Sequence, residues 1–349
     1  MSDKFRIIRK ALPGFGLDPS TLVMRRVLPE NWHGDLHFKI AVGEKSYVAR
    51  FIAERRSKED ATPFTNLADE VIREQMRYID HLNNQGIPFM RRVKPQSGEA
   101  FVVVEDDKGI KRRCVLFEWL DGIHITAQTM ETAFRMGEVA RRYHDASYGF
   151  HSEVLPRKIH TAGYREVLDS LRAERDAHSL NKRDRARLNK YLDLAAAMIE
   201  QAHRDPSERD QLIICSDLNA NNVLWDEATG GVSGIIDFDH ISISDRVQDL
   251  TWLMKWYSRT VGIESHEVSS GLSHALMYGY RAHELLSDDD YARFPALLWL
   301  SGCLNRKFVT RTKKLLQNDQ HGLQDHLDKY TKRGIKLTGL AEGLQFIQS

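Results

Sequence analysis

One segment constrains this chain more than any other. It is a short β-like island, Leu212–Ile241, set among long stretches of helical periodicity. It reads LIICSDLNANNVLWDEATGGVSGIIDFDHI. Leu212-Ile213-Ile214 is an apolar run, Asp217 comes next, and Asn222 stands five residues after it. Val223-Leu224-Trp225 reads as a strand, Thr229-Gly230-Gly231 as a turn, and Val232–Ile236 as a second strand ending at Asp237. The hairpin predicts Asp237 beside Asn222, with Asp217 on the loop just before. Three oxygen-bearing side chains then converge at one edge of a small sheet. Oxygen ligands of this kind suit a hard cation such as Mg²⁺. A further carboxylate that does not hold the metal would orient a hydroxyl and accept its proton, which is the division of labour in phosphoryl transfer.

The rest of the chain falls into two textures. Leu36–Val42 and Ser46–Ile52 flank a glycine-containing turn and read as a β-hairpin. Leu67–Asn84 has helical spacing, with Leu67, Val71, Met76, Ile79 and Leu82 on one face, and Gly86 and Pro88 stop it. Phe101–Val104 and Arg113–Phe117 read as another strand pair. Beyond residue 119 the pattern is helical over Met130–Ala146, Arg165–Ala202, Val247–Arg259, His266–Leu286 and Asp288–Lys314. The expected architecture is α+β, with a small β-rich lobe over 1–118 and a larger helical lobe over 119–349.

Composition narrows the class. A length of 349 residues fits about two domains or lobes and buries a full core without disulfides or metals. The net charge of +1 leaves no global basic field for nucleic acid. The cationic run over Leu171–Lys190 is broken by acids and lacks interleaved aromatics, so it reads as a solvated helical face. The three cysteines are widely spaced with no CxxC pair, which fits a reducing cytoplasm. The fifteen histidines show no HExxH spacing. There is no signal-peptide-like start and no apolar run long enough to span a membrane.

The D-x-x-x-x-N loop followed by Ile-Asp-Phe resembles the catalytic and metal loops of protein-kinase-like folds. The surrounding residues resemble the aminoglycoside phosphotransferase and choline kinase superfamily of small-molecule kinases. That resemblance implies a two-lobed protein-kinase-like fold. It implies Asp217 as catalytic base and Asn222 and Asp237 as Mg²⁺ ligands. Asp245 and Asp249 match the family's Gly-Asp-Pro-x-x-Asp-Leu stretch, in which the second Asp stabilises the catalytic loop. Val48 would cover the adenine and Arg50 would touch the phosphates. Glu74, or else Glu70, would orient Arg50. At the lobe boundary Phe117 would back the adenine pocket, and the backbones of Glu118 and Leu120 would bond the base. The Pro29–Asp35 turn would lend amides to the phosphates. Asp239, Trp256 and Tyr257 are candidate substrate contacts, while His144 reads as structural.

The pattern departs at Cys215-Ser216, where the family has His-Gly. A nucleophilic Cys215 is disfavoured because no histidine stands in a partner motif and a buried cysteine is usually a small hydrophobe. The reading is a cytoplasmic enzyme, monomer or homodimer, that moves the γ-phosphoryl of ATP or GTP to a hydroxyl of a small amino-hydroxy compound. An antibiotic of aminoglycoside, macrolide or amicoumacin type is preferred, which would confer resistance. Homoserine, choline or a related amino alcohol is the metabolic alternative. A non-catalytic nucleotide binder is the alternative of another class. A protein kinase is disfavoured, because no activation segment fits between Asp237 and Asp245.

Overall fold

The computed structural model describes residues 3–28, 34–53, 68–158, 160–204, 211–215, 217–318 and 321–344. The chain divides into two compact units. The first comprises 1–123, 145–156 and 222–242; the second comprises 124–144, 157–221 and 243–349. In chain order the elements begin with α1 (Asp3–Ala11), β1 (Leu22–Val27), β2 (Leu36–Val42), β3 (Lys45–Ala53), α2 (Asp69–Asn84), β4 (Val102–Glu105) and β5 (Lys111–Glu118). They continue with α3 (Met130–Ser147), α4 (His160–Ala177), α5 (Lys182–Ala202), β6 (Gln211–Cys215), β7 (Val223–Trp225), β8 (Val232–Ile235) and β9 (Ile241–Asp245). The C-terminal helices are α6 (Arg246–Tyr257), α7 (Ser270–Gly279), α8 (Asp288–Cys303), α9 (Arg306–Gln317) and α10 (Leu323–Thr338).

The first unit is built on an antiparallel sheet in the order β1-β2-β3-β5-β4. The β2–β3 hairpin forms as expected. Val42 pairs with Lys45 across a two-residue turn, and Gly43 sits at its first central position with φ +61°. That position needs a positive φ in the hairpin turns that match strand twist, and glycine meets it without steric cost. Strand alternation then sorts the side chains. Phe38, Ile40, Tyr47, Ala49, Phe51, Cys114 and Leu116 enter one core with Ile8 and Leu12. Val48, Arg50 and Ile52 take the other face. There Val48 pairs with Phe117 and Arg50 with Val115. Helix α1 and strand β1 escape the sequence reading, because α1 is short and four of β1's six residues are exposed, with Leu22 alone buried.

Helix α2 ends at Asn84, and Gly86 at φ +73° lets the chain turn out before Pro88. Its buried face carries Ile72 rather than Val71, together with Met76, Ile79 and Leu82. Leu67 lies outside the described residues. The β7–β8 hairpin also belongs to the first unit, with Val223 opposite Ile235.

The second unit is helical apart from β6 and most of β9, which pair with each other. Helix α8 is its centre, with Phe294, Leu297, Leu298 and Leu300 buried along it. Ser287 and Asp290 close a capping box at its start, so the Asp288–Asp290 run opens a helix as expected. Helix α10 crosses α8 where both carry glycine. A Cβ built on Gly302 would collide with Leu337, and one on Gly334 with the Trp299 indole. Among the described residues, no helix is long and apolar enough to cross a membrane.

Candidate active site

Arg50 organises the site in the first unit. It is buried, on the face of β3 turned away from the core. One terminal nitrogen donates to Asp35 and to Asp239, each at 2.6 Å, and Nε donates to Asp35 at 3.2 Å. The other terminal nitrogen stands 3.7 Å from Asp237. The guanidinium lies 4.7 Å from the centroid of Phe238. Burial alone would weaken its charge, but Asp239, Asp35 and Asp237 outweigh that and raise its pKa. Asp35 is itself fully buried and also accepts from the Ala53 amide at 3.0 Å. His37, directly across the ladder from Arg50, is pushed down to about 4, first by burial and then by the arginine.

Two expectations are corrected here. Glu74 does not meet Arg50, because Arg77 holds it through bonds of 2.6 and 2.9 Å one turn along α2. That bond, chiefly, lowers the Glu74 pKa. Glu70 is exposed and does not replace it. The acid that does orient Arg50 is Asp35, a residue that precedes β2 and has no helical spacing to announce it. Asp239 was read as a substrate contact. It is instead 8% exposed and ion-paired with Arg50.

Asn222 and Asp237 are brought together. The Ile236 amide donates to the Asn222 carbonyl at 2.8 Å, so Asp237 follows directly on the residue bonded to Asn222. Asp237 takes φ +75°, one of two positive values at non-glycine positions among the described residues. Asp tolerates this region better than most residues, but the conformation is strained and clusters at functional sites. Its carboxylate accepts from the Asp239 amide at 3.1 Å, and its side chain stays 34% exposed. Phe117, at the end of β5, packs 5.7 Å from Phe238. The Glu118 amide is spent on the Arg91 carbonyl at 2.9 Å. The Leu120 amide makes no hydrogen bond among the described residues. Most of the Pro29–Asp35 turn lies outside the described residues; only Gly34 and Asp35 fall within them.

Asp217 belongs to the second unit. It is half-buried, and Asn219 holds it: the Asn219 amide donates to its carbonyl at 2.7 Å, and Nδ2 donates to its carboxylate at 2.9 Å and to its carbonyl at 3.4 Å. Lys158 is a neighbour that the sequence did not announce. Burial pulls its pKa down to about 8, against the opposing pull of Asp217, Asp249 and Cys215. Behind the loop, buried His144 bridges Asp249 at 2.9 Å and the Tyr280 hydroxyl at 2.8 Å, a structural role as expected. Cys215 is buried and in no disulfide, and Ser216 lies outside the described residues. On α6, Tyr257 is fully buried with no hydrogen-bond partner for its hydroxyl among the described residues, so it is a core residue and not a substrate contact. Trp256 is half-buried under the Arg259 guanidinium, 4.4 Å from its ring. Among the described residues, no cluster of three or more His, Cys, Asp or Glu side chains could hold a metal.

Residues 26–286 match the model of the phosphotransferase enzyme family. The chain belongs to this family. It is a small-molecule phosphotransferase acting on a hydroxyl, with the two-lobed fold of the protein-kinase-like enzymes. Several solved structures share the fold at low identity. An amicoumacin kinase bound to AMP-PNP, Ca²⁺ and Ami superposes with a TM-score of 0.66 at 15% identity, over 95% of this chain and 94% of that one. An aminoglycoside phosphotransferase from Alicyclobacillus acidocaldarius gives 0.63 at 14% identity, over 97% and 96%. A microcompartment-associated aminopropanol kinase gives 0.60 at 18% identity, over 98% of each chain. No curated protein matches this chain in sequence.

Proposed function

We propose that this phosphotransferase moves the γ-phosphoryl group of ATP to a hydroxyl of a small molecule, with Asp217 as the catalytic base. The observation that carries the reading is the Asp237 loop. A carboxylate held in a left-handed turn beside Asn222, and backed by the buried Arg50 cluster, is a strained feature that core packing does not require. Asn222 and Asp237 offer oxygen donors, and the Asp237 side chain stays partly open, which fits a Mg²⁺ ion. When bound, the ion would neutralise charge on the nucleotide's phosphates.

The remaining steps belong to the chain. Arg50, fixed by Asp35 and Asp239, presents positive charge to the phosphates. Val48 and Phe117, paired across β3 and β5, supply apolar surface for the base, and the Leu120 amide is free to donate to it. The N-terminal lobe handles the nucleotide and the helical C-terminal lobe the acceptor. Asp217 accepts the acceptor's hydroxyl proton as that oxygen bonds to the γ-phosphorus. The bond from the γ-phosphorus to the bridging oxygen breaks, and ADP leaves with the electron pair. GTP is the alternative donor.

The acceptor is read as an amino-hydroxy compound, either an antibiotic of aminoglycoside, macrolide or amicoumacin type or a metabolic amino alcohol such as choline or homoserine. The structural likeness to antibiotic and amino-alcohol kinases supports both groups equally. The near-neutral net charge and the buried cysteines without disulfides support a cytoplasmic enzyme with no nucleic-acid partner, read as a monomer or homodimer.

The test incubates the protein with Mg²⁺, ATP or GTP, and pooled hydroxyl compounds, and reads products by mass spectrometry. Gain of one phosphoryl group with wild-type protein, and a loss of about 10²–10⁴ in rate with Asp217→Asn, is the expected result. Failure to bind Mg²⁺-nucleotide at all would overturn it in favour of a non-catalytic binder.

A further inference from the structure

The second unit contains a cavity of about 490 Å³ between the C-terminal end of α6, the 265–268 segment and α10. That volume suits a small-molecule ligand. Its walls are cationic. Arg259, only 6% exposed, donates through Nε to the Lys255 carbonyl at 3.3 Å and stacks on Trp256. It forms no ion pair among the described residues. Arg333 is half-buried on α10. It likewise forms no ion pair or hydrogen bond there, and lies 5.9 Å from the centroid of Tyr330. Lys255, 5% exposed, bonds only a carbonyl, that of Ser301 at 2.9 Å, and lies over the Trp252 ring.

The acids at the rim do not balance this charge. Glu264 opposes the other cations at Arg259 but is exposed and forms no ion pair with it among the described residues, Asp328 is engaged by Arg187 at 3.3 Å, and Asp325 is exposed. The cations consequently work against one another. Burial and then Arg333 bring Arg259 down to about 10 and Lys255 down to about 7, and burial and then Arg333 lower His266. Buried charge without counter-charge is costly and is normally paired or hydrogen-bonded. A cavity that keeps two such guanidiniums open is built for an anion.

The cavity is also tied to the chemistry. Helix α6, whose C-terminal end forms part of the wall, packs against β6, the strand that leads into the Asp217 loop, and the charge of Asp217 also reaches Lys255. We propose that the acceptor is an acidic hydroxyl compound, bearing a carboxylate or phosphate ester that docks on Arg259 and Arg333 while its hydroxyl is offered to Asp217. This rests on the kinase reading above and replaces its amino-hydroxy acceptor with an acidic one. A polycationic antibiotic or choline would set like charge against these walls, whereas a hydroxy acid would not.

Two acceptor panels separate the alternatives. One holds glycerate and glycerol 3-phosphate; the other holds choline, aminopropanol and an aminoglycoside. Transfer is expected within the acidic panel. Arg259→Gln and Arg333→Gln should each raise the acceptor KM by about tenfold to a hundredfold, the scale of one lost charge-assisted bond. They should leave the KM for ATP unchanged, and Arg259→Lys should restore part of the loss. Lys307→Gln, which removes an exposed charge on α9, controls for net charge. Transfer confined to the cationic panel would overturn the proposal, as would an acidic acceptor whose KM ignores both arginines. Binding of glycerol 3-phosphate and glycerate to Asp217→Asn protein, followed by NMR without nucleotide, is the second readout. It should vanish in Arg259→Gln. Absence of binding in the parent protein would also overturn the proposal. Arginine-dependent binding with neither transfer nor nucleotide binding would retire the kinase reading, and the acceptor assignment with it, leaving an anion site.

Discussion

Arg50 shows how much one buried charge can require of its neighbours. Desolvation penalises the guanidinium, and Asp35 and Asp239 compensate at 2.6 Å each. Removing one member of such a set leaves the rest buried and unbalanced, which costs about 3–5 kcal/mol. Arg50→Met should therefore lower the thermal midpoint by many degrees in a melt without nucleotide. Glu74→Ala breaks a bridge whose arginine is 56% exposed and a hydrogen bond with Ser152, and should shift the same midpoint less, by about 1–2 kcal/mol. Equal losses in the two variants would contradict this assignment of partners. Lys255 gives a pH signature with a definite sign. Its pKa falls from 10.5 to about 7 on folding, mainly through burial. Between those values the unfolded chain holds more protons than the folded one, so this group makes stability rise with pH. Below about 7 its penalty is complete. Lys255→Met should flatten the rise in urea-unfolding free energy between pH 7 and 9.5, where one proton contributes at most about 1.4 kcal/mol per pH unit. An unchanged slope would show that Lys255 titrates normally.

Among the elements, those with local signals were legible and those with distant partners were not. The β2–β3 hairpin, the α2 stop at Gly86 and the hairpin that carries Asn222 and Asp237 rest on turns and periodicity within a few residues. The reading missed Asp35 because its partner is fifteen residues away on another strand, and alternation says which face a residue takes but not what it meets. Lys158 and the paired arginines of the cavity were missed for the same reason, since α6 and α10 are far apart in the chain. Tyr257 was misjudged because helical spacing alone does not separate a buried aromatic from a pocket-lining one. The α8–α10 crossing adds a test. Gly302→Val would drive a side chain into Leu337, with an overpacking cost of about 1–3 kcal/mol. Chemical denaturation should show it as a lowered midpoint with an unchanged m-value.

For the molecule as a whole, the division into units does not follow the order of the chain. The first unit takes its sheet from residues before 123, but it also takes 145–156 and 222–242. Asp239, which completes the Arg50 cluster, arrives in the last of these pieces. A fragment ending at residue 123 should therefore lack both the β7–β8 hairpin and one carboxylate of its buried cluster. Expressed alone, it should show little near-ultraviolet circular dichroism and no cooperative melt. A sharp melt would mean that the sheet and its core suffice. The α8–α10 seam has a further consequence for how such an enzyme diversifies. Gly334 stands next to Arg333, so the distance between two helix backbones sets where that guanidinium reaches. If Arg333 holds the acceptor as proposed, a lineage that let either glycine grow would shift its preference among acceptors while leaving Asp217 and Asp237 untouched. Substrate range and reaction chemistry would then drift independently, the first through helix spacing and the second through a single loop and hairpin.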